Sequence, residues 1–422
     1  MEKAAQYHEA IVVGGGQAGL SMSYYLTQNQ IDHVVLNKGE LAESWRHERW
    51  DSFCLVTPNW QCQLPGFHYQ GDDPDGFMVK DEIIQYLEDY VASFRSPLKN
   101  RVTVEEIVYQ DGLFKLSTTD GPYNAKKVVI ACGSYHYPKI PTMAERVPKD
   151  VSQLHAAHYR NAEQLPDGAV FVVGSGQSGC QIAEDLHLAG RQVYLSVGSA
   201  PRVTRRYRGK EVVNWLDEMG YYETTIDDHP DGKDARKKTN HYVTGRDGGR
   251  DINLRILAQQ GMGLLGHLSS IERYYLHFEN DLQQNLDSAD EAAKRINSDI
   301  EQYIVDNNIQ APPDDNIKST FVPDIQLKLD LRKENITTII WSTGFHMDFS
   351  WIKLPVFEPG GYPDQVRGVT NTEGLYFLGL NWQNTWGSGR FYHVGRDAHY
   401  IMEHILQTES SSVVTNDKVS AL

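Results

Sequence analysis

Two glycine motifs, each lying between a buried-strand pattern and a helical pattern, constrain this chain more than any other feature. The first is Gly14, Gly16 and Gly19; the second is Gly174, Gly176 and Gly179, 160 residues later. Each glycine has its own task. The first permits a tight turn, the second lets a pyrophosphate touch backbone, and the third lets helix and strand pack closely. The free N–H groups and dipole at the helix N-terminus then favour a phosphate. The apolar run His8–Val13 precedes the first motif, and Ala18, Met22, Tyr25 and Leu26 follow at helical spacing. His33–Leu36 reads as the next buried strand. The pattern restarts with Ala169–Val173, a helical stretch through Ile182, Ala183 and Leu186, and the strand Gln192–Val197.

This repetition predicts an α/β chain of two dinucleotide-binding, Rossmann-like three-layer domains in a glutathione-reductase-like arrangement. Residues 1–160 and 330–408 are expected to form a discontinuous FAD-binding domain. Residues 165–325 are expected to form an NADPH-binding domain with a helical insertion over 205–325, and 409–422 a flexible tail. One fold holds a resident flavin and the other a visiting nicotinamide, a pairing that lets electrons from NADPH reach oxygen.

The ends of the second strands differ from the usual acidic residue. In the first fold the position is Asn37, followed by Lys38; both are adenosine contacts on this reading. In the second fold no carboxylate follows Val197, but Arg202, Arg205, Arg206, Arg208 and Lys210 do. Missing acid and forked guanidinium groups suit the 2′-phosphate of NADPH, with Arg202 and Arg205 as its contacts. Gln17, Ala18, Gln177 and Ser178 complete the two phosphate turns. The aromatic-rich loop from Trp45 to Phe77 supplies Trp45 and Arg46 to the flavin, and Trp50, Asn59 and Trp60 to a pocket beside it. Asn240, His241, Tyr242 and Arg246 form a substrate wall; of these groups Trp50, Asn59 and Tyr242 are the catalytic expectations.

Composition narrows the partners. The net charge of -16 argues against an open nucleic-acid-binding face. The cysteines Cys54, Cys62, Cys132 and Cys180 form no CxxC pair, which argues against a zinc site and a redox dithiol. No run of about 18 apolar residues exists to cross a membrane. A cytoplasmic enzyme, with a homodimer compatible, follows from this reading.

Four stretches together resemble the flavin-containing monooxygenases: GGGQAG at 14–19, GSGQSG at 174–179, Ala131-Cys132-Gly133, and Ser342-Thr343-Gly344-Phe345. Trp50–Trp60, His241–Asp251 and Gly374–Leu380 resemble a bacterial subfamily often encoded beside a nitrilase. The family's FxGxxxHxxx-aromatic fingerprint is half present: His155 and Tyr159 fit, while Lys149 and Val151 stand where Phe and Gly belong. The resemblance implies that Cys132, Gly133 and Gly344 lie at the links between domains. It places Gly379 against the flavin and His155 at the hinge. It also implies NADPH- and O2-dependent oxygenation of a small molecule, at nitrogen or sulfur, through a C4a-(hydro)peroxyflavin. Baeyer–Villiger oxidation of a ketone and an NADPH oxidase or reductase are the alternatives.

Overall fold

Runs of Val, Ile and Leu too continuous for a half-exposed strand place the sheet centres. Ala10–Val13, His33–Asn37 and Val128–Ile130 are buried throughout, as are Ala169–Val173 and Ile339–Trp341. Strands covered on both faces belong in parallel sheets flanked by helices. The computed structural model, which describes residues 3–317 and 319–419, with side chains to 408, has two such sheets.

In the first sheet Gln6–Val13 is central. It runs parallel to His33–Asn37 on one side and Tyr123–Ile130 on the other. Leu98–Asn100 and Leu375–Phe377 extend the parallel array outward. An antiparallel hairpin, Val104–Gln110 and Leu113–Thr118, adds to Tyr123–Ile130. The helix Gln17–Gln28 covers one face together with the closing helix Val394–Val419 and the helix Lys80–Phe94. Lys80–Phe94 buries Ile83, Ile84, Tyr86, Leu87 and Tyr90, at helical spacing, and Glu82 accepts a hydrogen bond from the Val79 N–H at its start, 3.0 Å.

The second sheet is entirely parallel: Ser152–His155, Ile336–Trp341, Ala169–Val173, Val193–Ser196 and Gly263–Leu265, in that spatial order. The helix Gln177–Leu188 packs on its core. Sheet pairing moves the expected boundaries. Ser152–His155 and Ile336–Trp341 belong to the second fold, so it begins before 165 and ends after 325. The stretch 205–325 is not wholly an insertion either. It carries the sheet's edge strand Gly263–Leu265 and a small antiparallel hairpin, Leu268–Glu272 with Tyr275–Phe278, beside the helices Val212–Glu218 and Leu282–Asp306. The tail expected from 409 is helical backbone as far as Val419. Its side chains and residues 420–422 lie outside the described residues.

The chain crosses between folds twice, after Gly133 and after Ser342. The two crossings pair as an antiparallel ribbon, Tyr137–Pro138 with Phe345–His346.

Candidate functional site

Each glycine motif forms the same cradle. Gly14 takes φ +114°, and a Cβ there would sit 2.5 Å from the Ala131 carbonyl oxygen. A Cβ on Gly19 would sit 1.8 Å from the Gly14 carbonyl oxygen, so helix and turn touch only because that atom is missing. Gly16 faces nothing within 4 Å. The second cradle repeats these distances: Gly174 has φ +100° and a Cβ there would lie 2.6 Å from the Ser342 carbonyl oxygen, while Gly179 would meet the Gly174 oxygen at 1.9 Å. Gly176 meets only the Thr239 methyl, at 3.7 Å. Both turns therefore leave their middle glycine open above a helix N-terminus, which fits a dinucleotide pyrophosphate in each. Gly133 and Gly344, at the ends of equivalent strands, both have positive φ and open space above them.

The first cradle is roofed by the C-terminal part of the chain. A Cβ on Gly379 would lie 2.5 Å from the Ala18 Cβ. Gln17 Nε2 donates to the Gly389 carbonyl at 3.0 Å. Asn37 is 9% exposed and its amide is engaged at both ends. Oδ1 accepts from Gly15 N–H at 3.2 Å, and Nδ2 donates to the Glu40 carbonyl at 2.8 Å and to Asn100 Oδ1 at 2.9 Å. It thus locks the glycine turn to the strand end; Lys38 beside it is exposed. Trp45 stacks on Phe391 with ring centroids 6.1 Å apart, and Arg46 is paired with Glu88. Cys132 is half-buried with its sulfur 3.5 Å from His136 Nε2. In the second cradle Gln177 is half-buried and Ser178 exposed at the helix start.

His155 ends its strand at the crossing. Its Nε2–H donates to the Gly344 carbonyl at 3.0 Å and its Nδ1 accepts from Ala157 N–H at 3.2 Å. Burial holds its pKa below the ordinary value, so it is a neutral hinge ligand of the backbone.

Other expectations are corrected. Tyr242 fills the second fold's hydrophobic core, 1% exposed, and Trp50 packs into the same core at 5% exposed while lining a small polar cavity with Cys54, Gln181, Glu184 and Arg246. An aromatic reads alike in sequence whether it lines a pocket or fills a core. Asn59 is buried, and its amide accepts from Met78 N–H at 2.7 Å and donates to the Asp73 carbonyl at 2.9 Å. It folds the aromatic loop. The two 2′-phosphate contacts are already neutralised by carboxylates. Arg202 pairs with Asp290 at 2.6 Å; Arg205 is buried, paired with Glu211, and lies 4.2 Å over the Phe77 ring. Arg246 pairs with Asp185 at 2.6 Å, while burial and the Arg295 charge push the His241 pKa down to about 4.

Residues 11–292 match the family model described as pyridine nucleotide-disulphide oxidoreductase. The chain belongs to the pyridine nucleotide-disulphide oxidoreductase family. Its resemblance to the flavin-containing monooxygenases is borne out by the fold and by partial relatives. An uncharacterized CzcO-like oxidoreductase of Geobacillus kaustophilus is 33% identical over 94% of this chain and 98% of its own. A probable indole-3-pyruvate monooxygenase of Arabidopsis thaliana is 27% identical over 46% of this chain and 47% of its own. In fold, a flavin-containing monooxygenase from Stenotrophomonas maltophilia superposes with a TM-score of 0.64 at 18% identity, covering 96% of this chain and 99% of that one. Among the described residues no helix is long and apolar enough to cross a membrane.

The family's name includes a dithiol chemistry that these cysteines do not serve. All four are free. Burial pushes the thiol pKa up to about 11 at Cys54 and to about 12 at Cys62 and Cys132, and holds that of Cys180 well above the ordinary value. A redox dithiol needs a thiolate within reach of a second sulfur.

Proposed function

We propose that this oxidoreductase inserts one oxygen atom of O2 into a small organic substrate, at nitrogen or sulfur, at the expense of NADPH. The carrying observation is the pairing of two nucleotide cradles with four free thiols, all held protonated by burial. Electrons arriving from NADPH have no protein dithiol to enter, so an external acceptor is needed, and oxygen fits that role. The printed names of its monooxygenase relatives support the same reading.

Gly16 and the helix Gln17–Gln28 would hold the FAD pyrophosphate, and Gly176 with the helix Gln177–Leu188 that of NADPH. Bound FAD supplies two-electron acceptance and reactivity towards O2. The chain's own part is positioning and dryness. Asn37 fixes the first turn, Gln17 ties the roof segment to it, and His155 fixes the crossing. The stacked Trp45 and Phe391 present rings rather than water-binding groups. A site that excludes water keeps reduced oxygen from being lost as peroxide.

Turnover under heavy-isotope O2 tests this: one heavy oxygen atom is expected in the product of an accepted amine or sulfide, with little hydrogen peroxide. Near-stoichiometric peroxide with every amine and sulfide tried would make the protein an NADPH oxidase instead.

A further inference from the structure

The stretch 221–240 springs from the second fold and lies on the first. It leaves after the helix Val212–Glu218, through Gly220 at φ +75°, and returns at Tyr242 in the second fold's core. Between these anchors it forms two short 3-10 turns, Tyr221–Glu223 and Gly232–Lys237.

This strap docks on the segment that roofs the first cradle. Thr225 pairs with Thr385 as an antiparallel bridge, and Ile226 N–H donates to the Asn384 carbonyl at 2.6 Å. Ile226 and Ala235 pack against Trp382 and Trp386, in a small cluster separate from either fold's main core. Arg396 donates to Glu223 at 2.7 Å, and Arg390 Nη2 donates to Asn240 Oδ1 at 3.0 Å. The same roof segment contains Gly389, whose carbonyl Gln17 holds over the first cradle.

The far end of the strap reaches the second cradle. The Thr239 methyl stands 3.7 Å from where a Cβ on Gly176 would be. That spacing admits a methyl group and little more. The middle glycine of such a turn lacks a side chain so that a pyrophosphate can approach the backbone there. A phosphate is larger than a methyl group, and a threonine methyl offers it no hydrogen bond. Gly16, its counterpart in the first cradle, has nothing within 4 Å. In its docked position the strap therefore crowds one nucleotide turn and leaves the other clear.

We propose that residues 221–240 form a gate on the second cradle. Docked on the roof of the first cradle, the strap narrows the second; a pyrophosphate seating on Gly176 drives the Thr239 end away and loosens the strap from the roof. Nucleotide and docked strap then oppose each other, and part of the nucleotide's affinity is spent on undocking. The gate rests on the reading of the second cradle as the NADPH site.

The test uses the oxidised FAD holoenzyme with NADP+ as the probe, followed by calorimetry and by hydrogen–deuterium exchange. Saturating NADP+ should slow exchange over Gly174–Gly179 and speed it over 221–240, the Ile226 amide included. Thr239→Ala removes the crowding methyl, and Ile226→Ser weakens docking at the opposite end of the strap. Both variants should bind NADP+ about three- to tenfold more tightly than the native protein, the share of affinity that undocking otherwise takes. Unchanged or weaker binding in both variants, or exchange over 221–240 that slows with NADP+, would overturn the gate and make the strap a clamp or a bystander. Absence of NADP+ binding by all three proteins would sink the NADPH reading, and the gate with it.

Discussion

In the first cradle, chain from the far C-terminal part lies over the helix start, with Gly379 against Ala18 and Gly389 bound by Gln17. In the second, the Thr239 methyl lies 3.7 Å from a Cβ placed on the middle glycine, but among the described residues Gln177 makes no tie to a covering segment like that of Gln17. The turns themselves match to within 0.1 Å in the clash that their third glycine avoids, 1.8 against 1.9 Å. Their strand ends differ: Asn37, tied to the Gly15 N–H, corresponds to Val197 at the same offset of 160 residues. One backbone device thus serves two kinds of tenancy. The roofed and cross-tied cradle suits a cofactor that stays, and the open one suits a cofactor that exchanges every turnover.

The largest effects should come from the glycines. Gly19→Ala forces a methyl group into the Gly14 oxygen and should give protein without FAD, destabilised by roughly 3 kcal/mol or more. Gly179→Ala should retain yellow FAD yet lose reduction by NADPH. Flavin absorbance per chain and anaerobic reduction rates separate the two, and equal FAD loss in both variants would erase the distinction between resident and visitor. Gly16→Ala meets no protein atom, so it should weaken FAD retention without lowering the thermal midpoint of the FAD-free protein.

Next in size, Arg205→Ala leaves Glu211 buried with only Arg206 beside it, and should cost about 3–5 kcal/mol in urea unfolding. If the variant instead raised the NADPH Michaelis constant at unchanged stability, Arg205 would be a phosphate contact after all.

A smaller effect arises on the second cradle's helix, where Glu184 stands at the position of Tyr24 in the first. Burial pushes its pKa from the ordinary 4.5 up to about 7, against the pull of Arg250. The folded state therefore holds this proton more tightly than the unfolded chain. The stability it contributes is present below about pH 4.5 and is lost as pH rises towards 7. Glu184→Gln should be more stable than the native protein at pH 8, by on the order of 2 kcal/mol, and equal to it near pH 4. Parallel stability–pH curves for the two proteins would contradict the burial argument.

Smallest of all, His155→Phe should lose about 1 kcal/mol, the worth of one hydrogen bond to the crossing. Unchanged unfolding would show that the ribbon holds without it.

Both cradles were legible because each glycine has a steric reason that survives in one dimension. The strand order was only partly legible. Ser152–His155 and Ile336–Trp341 lie far apart in sequence and become neighbours only through sheet pairing, so the second fold reached further than its motif suggested. Arginine chemistry was the least legible. A run of guanidinium groups at 202–208 resembles a phosphate clamp, but the structure supplies Asp290, Glu211 and Glu301 as partners from elsewhere in the chain.

The crossing ribbon has a consequence for how such a molecule is put together. Its two strands, Tyr137–Pro138 and Phe345–His346, are hydrogen-bonded neighbours, so the whole second fold hangs from the first as a single excursion with adjoining ends. Closing a loop costs little more when the loop is long. An entire second fold can therefore be carried at one site on the first without disturbing its sheet, and the duplication visible in the glycines is nested rather than set end to end.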